Sequence, residues 1–226
     1  INFTTDYGTI RSTVNTINGK AISQLNSDTT HNIANVTVSL DNQIVSTTVT
    51  IFKIYNTVTH KGFETIQAAI DDPTTSPGDI IEIGSGTYTE SIVINKKLTI
   101  IPSLGCNVTF QTVTSSTHII PGDPESPVII VYEPVFLITS TGSGSTIQGF
   151  IINGTITLEN ANNCSILGNN ITAEDGWGIE LHDSHNNTIN ENIITYMWGI
   201  YLNYSDNNTI TRNILTNNIE GAELYA

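Results

Sequence analysis

Asn186-Asn187-Thr188-Ile189 followed by Gly199-Ile200-Tyr201-Leu202, then Asn207-Asn208-Thr209-Ile210 followed by Gly221-Ala222-Glu223-Leu224, is one phrase written twice. Looser copies stand upstream, Ser145-Thr146-Ile147 with Thr155-Ile156-Thr157-Leu158, and Ser165-Ile166 with Gly178-Ile179-Glu180-Leu181. The isoleucines Ile147, Ile166, Ile189 and Ile210 are 19, 23 and 21 residues apart, and the leucines Leu158, Leu181, Leu202 and Leu224 are 23, 21 and 22 apart. A third column, Asn169, Asn192 and Asn213, moves with them. Three columns in step mark a structural repeat rather than a compositional accident.

Within each unit apolar and polar residues alternate over a few positions, which is strand periodicity, and Asn, Gly, Ser and Asp interrupt the runs. Short strands that return without a helical crossover cannot build an ordinary parallel sheet. The chain must therefore coil, each turn laying its strands on those of the turn before. Ile179, Leu181, Ile200 and Leu202 then point inward as aliphatic ladders while Glu180 and Tyr201 point out. Asparagine suits the bends, because it tolerates left-handed backbone angles and can bond to its counterpart in the next coil.

Working upstream, Phe63, Ile66, Ala69 and Ile70 share one side of an amphipathic helix expected over 62–72, closed by Asp71-Asp72-Pro73. Such a helix would cap the open end of a solenoid. Pro77-Gly78-Asp79 reads as a turn. Ile80-Ile81-Glu82-Ile83, a bend at Gly86-Thr87-Tyr88-Thr89-Glu90, Ile92-Val93-Ile94 and Leu98-Thr99-Ile100-Ile101 read as the first coil. Residues 111–144 are interrupted by Pro121, Pro124, Pro127 and Pro134, so a coil with an exposed loop near 121–127 is expected. Residues 1–56 lack the coil pattern. Asn35 to Leu40 and Ile44 to Ile51 alternate around Asp41-Asn42, and Asn18-Gly19 is a hairpin signal. The expected class is all-β: a small antiparallel β unit or partial sandwich over 1–56, then a right-handed single-stranded parallel β-helix over 57–226 with an N-terminal capping helix.

Only 12% of the 226 residues are charged, and acids outnumber Lys plus Arg by 21 to 7. Residues 111–226 hold twelve acids and one base, Arg212. That half repels phosphate backbones and anionic lipid, so nucleic acid and membrane surfaces are poor partners. No run approaches the roughly 18 apolar residues of a membrane span. The chain opens Ile-Asn-Phe-Thr with no leader features, so an export signal would already be removed. Nine Asn-Xaa-Ser/Thr sequons, at Asn2, Asn35, Asn107, Asn153, Asn163, Asn170, Asn186, Asn203 and Asn207, point to an extracellular, cell-surface location. Cys106 and Cys164 permit a disulfide there without requiring it; two buried thiols are the alternative.

The cap-like phrase from Phe63 to Ile70, then Gly78 to Glu90 and Ile94 to Ile100, resembles the N-terminal cap and first coil of pectate-lyase-like β-helix proteins. Together with the Asn-Asn-Thr-Ile coils it is similar to surface-layer and adhesin-like glycoproteins of methanogenic archaea, over residues 57–225. The resemblance implies the fold, but it is shared by pectin methylesterases, polysaccharide lyases and non-enzymatic surface proteins. The enzymes' motifs are missing: no Gln-Asp-Thr with a later Asp-Phe, no Asn-Thr-Asp, no Gly-Asp-Asp. Similar lyases use Arg or Lys as base with Ca²⁺; here Arg212, equivalent to Gly168 and Glu191, reads as a solvated bend residue.

One outward column combines chemistry. Trp177, Trp198 and Glu220 are equivalent, and Glu180, Tyr201 and Glu223 follow three residues later. Coils stack about 4.8 Å apart, so aromatic faces lie beside carboxylates, a combination suited to sugars. The alternative is that the tryptophans pack over the neighbouring glycines or against another subunit. Glu180 and Glu223, roughly 10 Å apart along the backbone, also approach the separation of an inverting glycosidase pair. His182, Asp183 and His185 form the one weak metal-like cluster, and a copper-related accessory family has similar repeats. His31, His60 and His118 stand alone.

The reading as a whole is a non-enzymatic, glycosylated cell-surface structural or adhesive protein with no cofactor, in contact with itself (oligomer, lattice or filament) or with an envelope polymer or glycan. The alternative is a carbohydrate-binding or carbohydrate-active module. The sequence stops at Ala226 shortly after a coil, which raises the expectation of a longer parent chain or an end-to-end assembly.

Overall fold

The alternating residues of 80–225 close into three parallel walls. The computed structural model describes residues 1–26, 32–118, 129–173, 176–195 and 198–225. Among them the chain divides into two compact units, Ile1–Lys53 and Ile54–Ala226.

In the larger unit each turn contributes one short strand to each wall, and the walls have eight, six and six strands among the described residues. The first wall runs through Ile80–Ile83, Thr99–Pro102, Thr146–Gln148, Ser165–Leu167, Thr188–Asn190 and Thr209–Thr211. The second runs from Gly86–Tyr88 to Ile214–Thr216, and the third from Ile92–Ile94 to Glu220–Tyr225. Coil-to-coil pairing is parallel and in register; the two remaining strands of the first wall, Ile54–Asn56 and Lys61–Phe63, pair antiparallel at its edge. The larger unit is a parallel β-solenoid, all-β apart from the cap and a short 3-10 helix at Ser140–Gly142.

Register turns the repeat into a core. Ile81, Ile100, Ile147, Ile166 and Ile189 form one ladder, and Ile94, Ile138, Leu158 and Leu181 another, every member fully buried. Each such side chain contributes roughly 1.5–3 kcal/mol by leaving water. In the early coils the interior holds Phe110, Phe136 and Phe150, all fully buried. Phe110 meets the other two edge-on at 4.8 and 5.2 Å between centroids.

The cap differs from expectation in extent. The α-helix is Ile66–Asp71, because Lys61–Phe63 is a strand paired antiparallel with Ile54–Asn56. Periodicity alone could not separate them: Phe63 packs on the core from a strand as well as it would from a helix. Thr65 caps the helix by accepting from the Ala68 backbone N–H at 3.1 Å. The Glu90 carboxylate accepts from the Ile66 and Gln67 amides at 3.1 and 3.4 Å, satisfying donors a helix start leaves open. Ile54–Asn56 also pairs with Ile80–Ile83, so these three residues, grouped above with the N-terminal unit, form the edge of the first wall. Gly86–Tyr88 is likewise a strand, not a bend, since it carries the first rung of the second wall.

Between Gln111 and Val135 the coil extrudes an antiparallel pair, Thr114–His118 with Ile129–Tyr132. The exposed loop expected near 121–127 lies outside the described residues.

The smaller unit is built on an antiparallel sheet of Asn2–Thr5, Asn32–Leu40 and Gln43–Ile51. Its hairpin turns at Asp41-Asn42, with Asp41 at φ 51°. At Asn18-Gly19 both φ angles are positive, 51° and 75°, and Ile17 and Lys20 exchange two backbone hydrogen bonds, the two-residue hairpin turn its sequence predicts.

Candidate functional site

Each coil bends at positions in the left-handed region, and these stack as columns: Asn163, Asn186 and Asn207 at φ 57–59°, then Gly168, Glu191 and Arg212 at 55–59°. Arg212 is an exposed bend residue whose Nη1 donates to Glu191 Oε1 at 3.1 Å.

The second task expected of the asparagines falls to different residues. Asn169 donates its backbone N–H to Asn192 Oδ1 at 2.9 Å, and Asn192 donates to Asn213 Oδ1 at 2.9 Å. Their amide nitrogens donate to the Ile147, Ile166 and Ile189 carbonyls at 3.1, 2.8 and 2.8 Å. Cys164, Asn187 and Asn208 form a parallel ladder at 2.7 and 2.8 Å. In Asn-Asn-Thr-Ile the first asparagine makes the turn and the second faces the neighbouring coil.

The sequons sort accordingly. Asn2, Asn35, Asn107, Asn163, Asn170, Asn186 and Asn207 are exposed, and Asn153 and Asn203 half-buried. The buried asparagines, Asn56, Asn169, Asn187 and Asn192, are not sequons.

The outward face of the third wall holds the chemical cluster. Trp177–His182, Trp198–Asn203 and Glu220–Tyr225 lie in register: Trp177 on Trp198 on Glu220, Glu180 on Tyr201 on Glu223, and His182 on Asn203 on Tyr225. A local break in alternation creates this face. Gly178 and Ile179 are both buried, so Trp177 and Glu180, three residues apart, both emerge. Glycine is needed because a Cβ at 178 would press on the Ile194 side chain, and one at 199 would strike the Gly221 carbonyl.

Trp177 and Trp198 tilt together at 5.7 Å and 34°, and Trp177 stacks on Tyr201 at 5.2 Å and 28°. Tyr201 in turn meets His182 at 5.6 Å and Tyr225 at 5.8 Å. The tryptophans pack on each other and stay half-exposed. Glu180 Oε2 lies 3.5 Å from His182 Nε2. The Glu223 carboxylate accepts from the Tyr225 hydroxyl, and that bond raises the phenol above its ordinary pKa. Trp177, Glu180, Trp198, Tyr201 and Glu223, equivalent in the sequence columns, share one face of the fold. Tyr225 and the His182 ring join them there, at the offset of Asn203 and with no column of like residues to mark them.

The weak metal candidates are not brought together. His182 faces Glu180 and Tyr201, His185 Nδ1 accepts the Asp206 amide at 2.9 Å, and Asp183 is an exposed bend residue. Among the described residues no group of three His, Cys, Asp or Glu is placed to hold a metal. Cys106 and Cys164 are free thiols; Cys164 is buried, its pKa raised by that burial, and its Sγ–H donates to the Asn162 carbonyl at 3.6 Å.

Residues 135–226 match the family model described as periplasmic copper-binding protein (NosD). The copper of that description finds no fitting ligand set among the described residues. A cell surface glycoprotein of Methanothermus fervidus is 35% identical over 122 residues, 53% of this chain and 17% of that protein. No solved structure matches the chain. Among the described residues no helix is long and apolar enough to cross a membrane. The chain is thus a parallel β-solenoid similar in its later coils to the NosD model and, over about half its length, to a cell surface glycoprotein of a methanogenic archaeon.

Proposed function

We propose that this chain is part of a non-enzymatic, glycosylated cell-surface protein in which the solenoid is a stiff scaffold that displays sugars and an adhesive face. The observation that carries this reading is the sorting of asparagines: the ladder residues Asn169, Asn187 and Asn192 are buried, Asn208 and Asn213 half-buried, and no sequon asparagine is buried. Registered ladders resist bending, since shifting one coil breaks bonds along every wall at once. The similarity to a cell surface glycoprotein supports the same assignment. Its contacts would be further copies of the chain or an envelope polymer or glycan. Brief protease treatment of intact source cells tests the location: the protein should be cleaved without lysis, and protection until lysis overturns the reading. Sizing of the purified protein across concentration tests self-association, which a strict monomer at high concentration removes.

A second reading is favoured by the third-wall face, where half-exposed Trp177, Trp198 and Tyr201 stand beside Glu180 and Glu223. C–H-rich sugar faces stack on such rings, and carboxylates accept hydroxyl hydrogen bonds. Binding on a glycan array, abolished by Trp177→Ala with Trp198→Ala, is the expected outcome. Absence of binding, or binding unchanged in the double variant, removes it.

A further inference from the structure

Asn203 differs from the other eight sequon asparagines in what surrounds it. It stands on the aromatic face itself, with Tyr201 two residues before it in the same strand, His182 beside it in the preceding coil and Tyr225 in the next. In an extended strand residues two apart point to the same side, about 6.6 Å apart, and cross-strand neighbours stand about 4.8 Å away. Tyr201 contacts both His182 and Tyr225, so the three rings line one continuous patch around Asn203. In the seven other sequons that have a residue two before the asparagine, that residue is not aromatic, for example Ile151 before Asn153, Ser184 before Asn186 and Gly168 before Asn170. Among the described residues the Asn203 side-chain amide makes no hydrogen bond, whereas Asn169, Asn187 and Asn192 are tied into ladders.

We propose that Asn203 carries an N-linked glycan whose first sugars lie on Tyr201, His182 and Tyr225 and extend toward Trp198 and Trp177. The aromatic face is then occupied by the chain's own carbohydrate. Trp198 is five residues from Asn203 along its strand, about 16 Å, the length of a few sugar rings. Glu180 and Glu223 flank the path and accept hydrogen bonds from hydroxyl or N-acetyl groups. No Lys or Arg stands on these three strands, so the face suits uncharged sugars and disfavours uronates.

The donor required is an oligosaccharide on a lipid phosphate, used by an oligosaccharyl transferase. The Asn203 amide nitrogen forms a bond to sugar C1, the C1–O bond to phosphate breaks, the amide loses one proton, and the lipid phosphate leaves as the anion. Transfer must precede coil closure. In the folded chain the sequon hydroxyl, Ser205 Oγ, already donates to the Asn203 carbonyl at 2.9 Å and accepts from the Ser184 amide at 3.0 Å.

The inference rests on the surface-glycoprotein reading and is tested separately from it. Glycopeptide mass spectrometry of protein purified from its source cells should find Asn203 occupied. Asn203→Gln, expressed in the same cells, should lower the melting temperature by about 2–4 °C, the shift expected of one stacked sugar in a chain of this size. It should also change tryptophan emission. In a Tyr201→Ala background the same substitution should shift neither, while Tyr201→Phe should restore the effect. Asn203 bare while Asn186 or Asn207 is modified overturns this inference alone, as does an occupied Asn203 whose loss has the same effect with or without Tyr201. Sugar at no sequon overturns both readings.

Discussion

Two regions rich in β-branched strands meet different fates in this molecule. The strand Gln43–Ile51 is built of Val, Ile, Thr and Ser with one Gln, yet it is exposed at every position but its last. Among the described residues of the sheet that contains it only Ala34 and Val36 are buried, and Ile44 and Val45 are 70% and 68% exposed. In the solenoid the corresponding alternation buries Ile156, Leu158, Ile179 and Leu181 completely. Alternation makes a strand; burial needs a second apolar layer, which a coil supplies by turning its three walls toward one another.

This contrast can be broken experimentally. The largest effect should come from Phe110→Ala, which empties the junction of Tyr88, Phe136 and Phe150. A loss of about 3–5 kcal/mol in urea unfolding is expected, and a loss under 1 would show that the early coils repack freely. Asn192→Ala should cost about 1–3 kcal/mol, because the buried Asn169 backbone N–H would lose its acceptor. A null result there would make the ladders ornamental.

Titration sharpens the same point with one group. Burial pushes the Tyr88 phenol up to about 12 from an ordinary value of 10.0, and its hydroxyl donates to the Gly84 carbonyl at 2.8 Å. Above pH 10 the unfolded chain ionises this tyrosine while the folded chain keeps it neutral. Stability from this group is therefore complete below pH 10 and is lost as pH rises from 10 toward 12. Ultraviolet absorbance should show a late-titrating tyrosine that Tyr88→Phe removes. The smallest effect is expected in the N-terminal sheet, where Val45→Ala should change stability by no more than about 0.5 kcal/mol. A loss above 1 would mean that this face is covered in solution.

Much of the fold was legible before any coordinates. The columns Ile166 to Ile210 and Leu158 to Leu224 fix strand register, because in-register stacking is what keeps equivalent residues one above another. The face carrying Trp177, Tyr201 and Glu223 follows from that register. The cap was legible in place and not in extent, since backbone pairing of Lys61–Phe63 with Ile54–Asn56 leaves no mark on side-chain periodicity. Tyr225 escaped notice because it has no like residue at the same offset in the two preceding coils.

The sequence by itself determined the repeat, the inward ladders and which residues share the outward column, because each depends on local alternation and a constant coil length. Only the tertiary structure decided what the asparagines do. Asn186 and Asn187 are chemically identical neighbours, yet one turns the backbone in solvent and the other bonds to Cys164 and Ala161 of the coil before. Their difference lies in the coil stacked against them. The same holds for Asn203, whose aromatic surroundings come from strands about twenty residues away on either side.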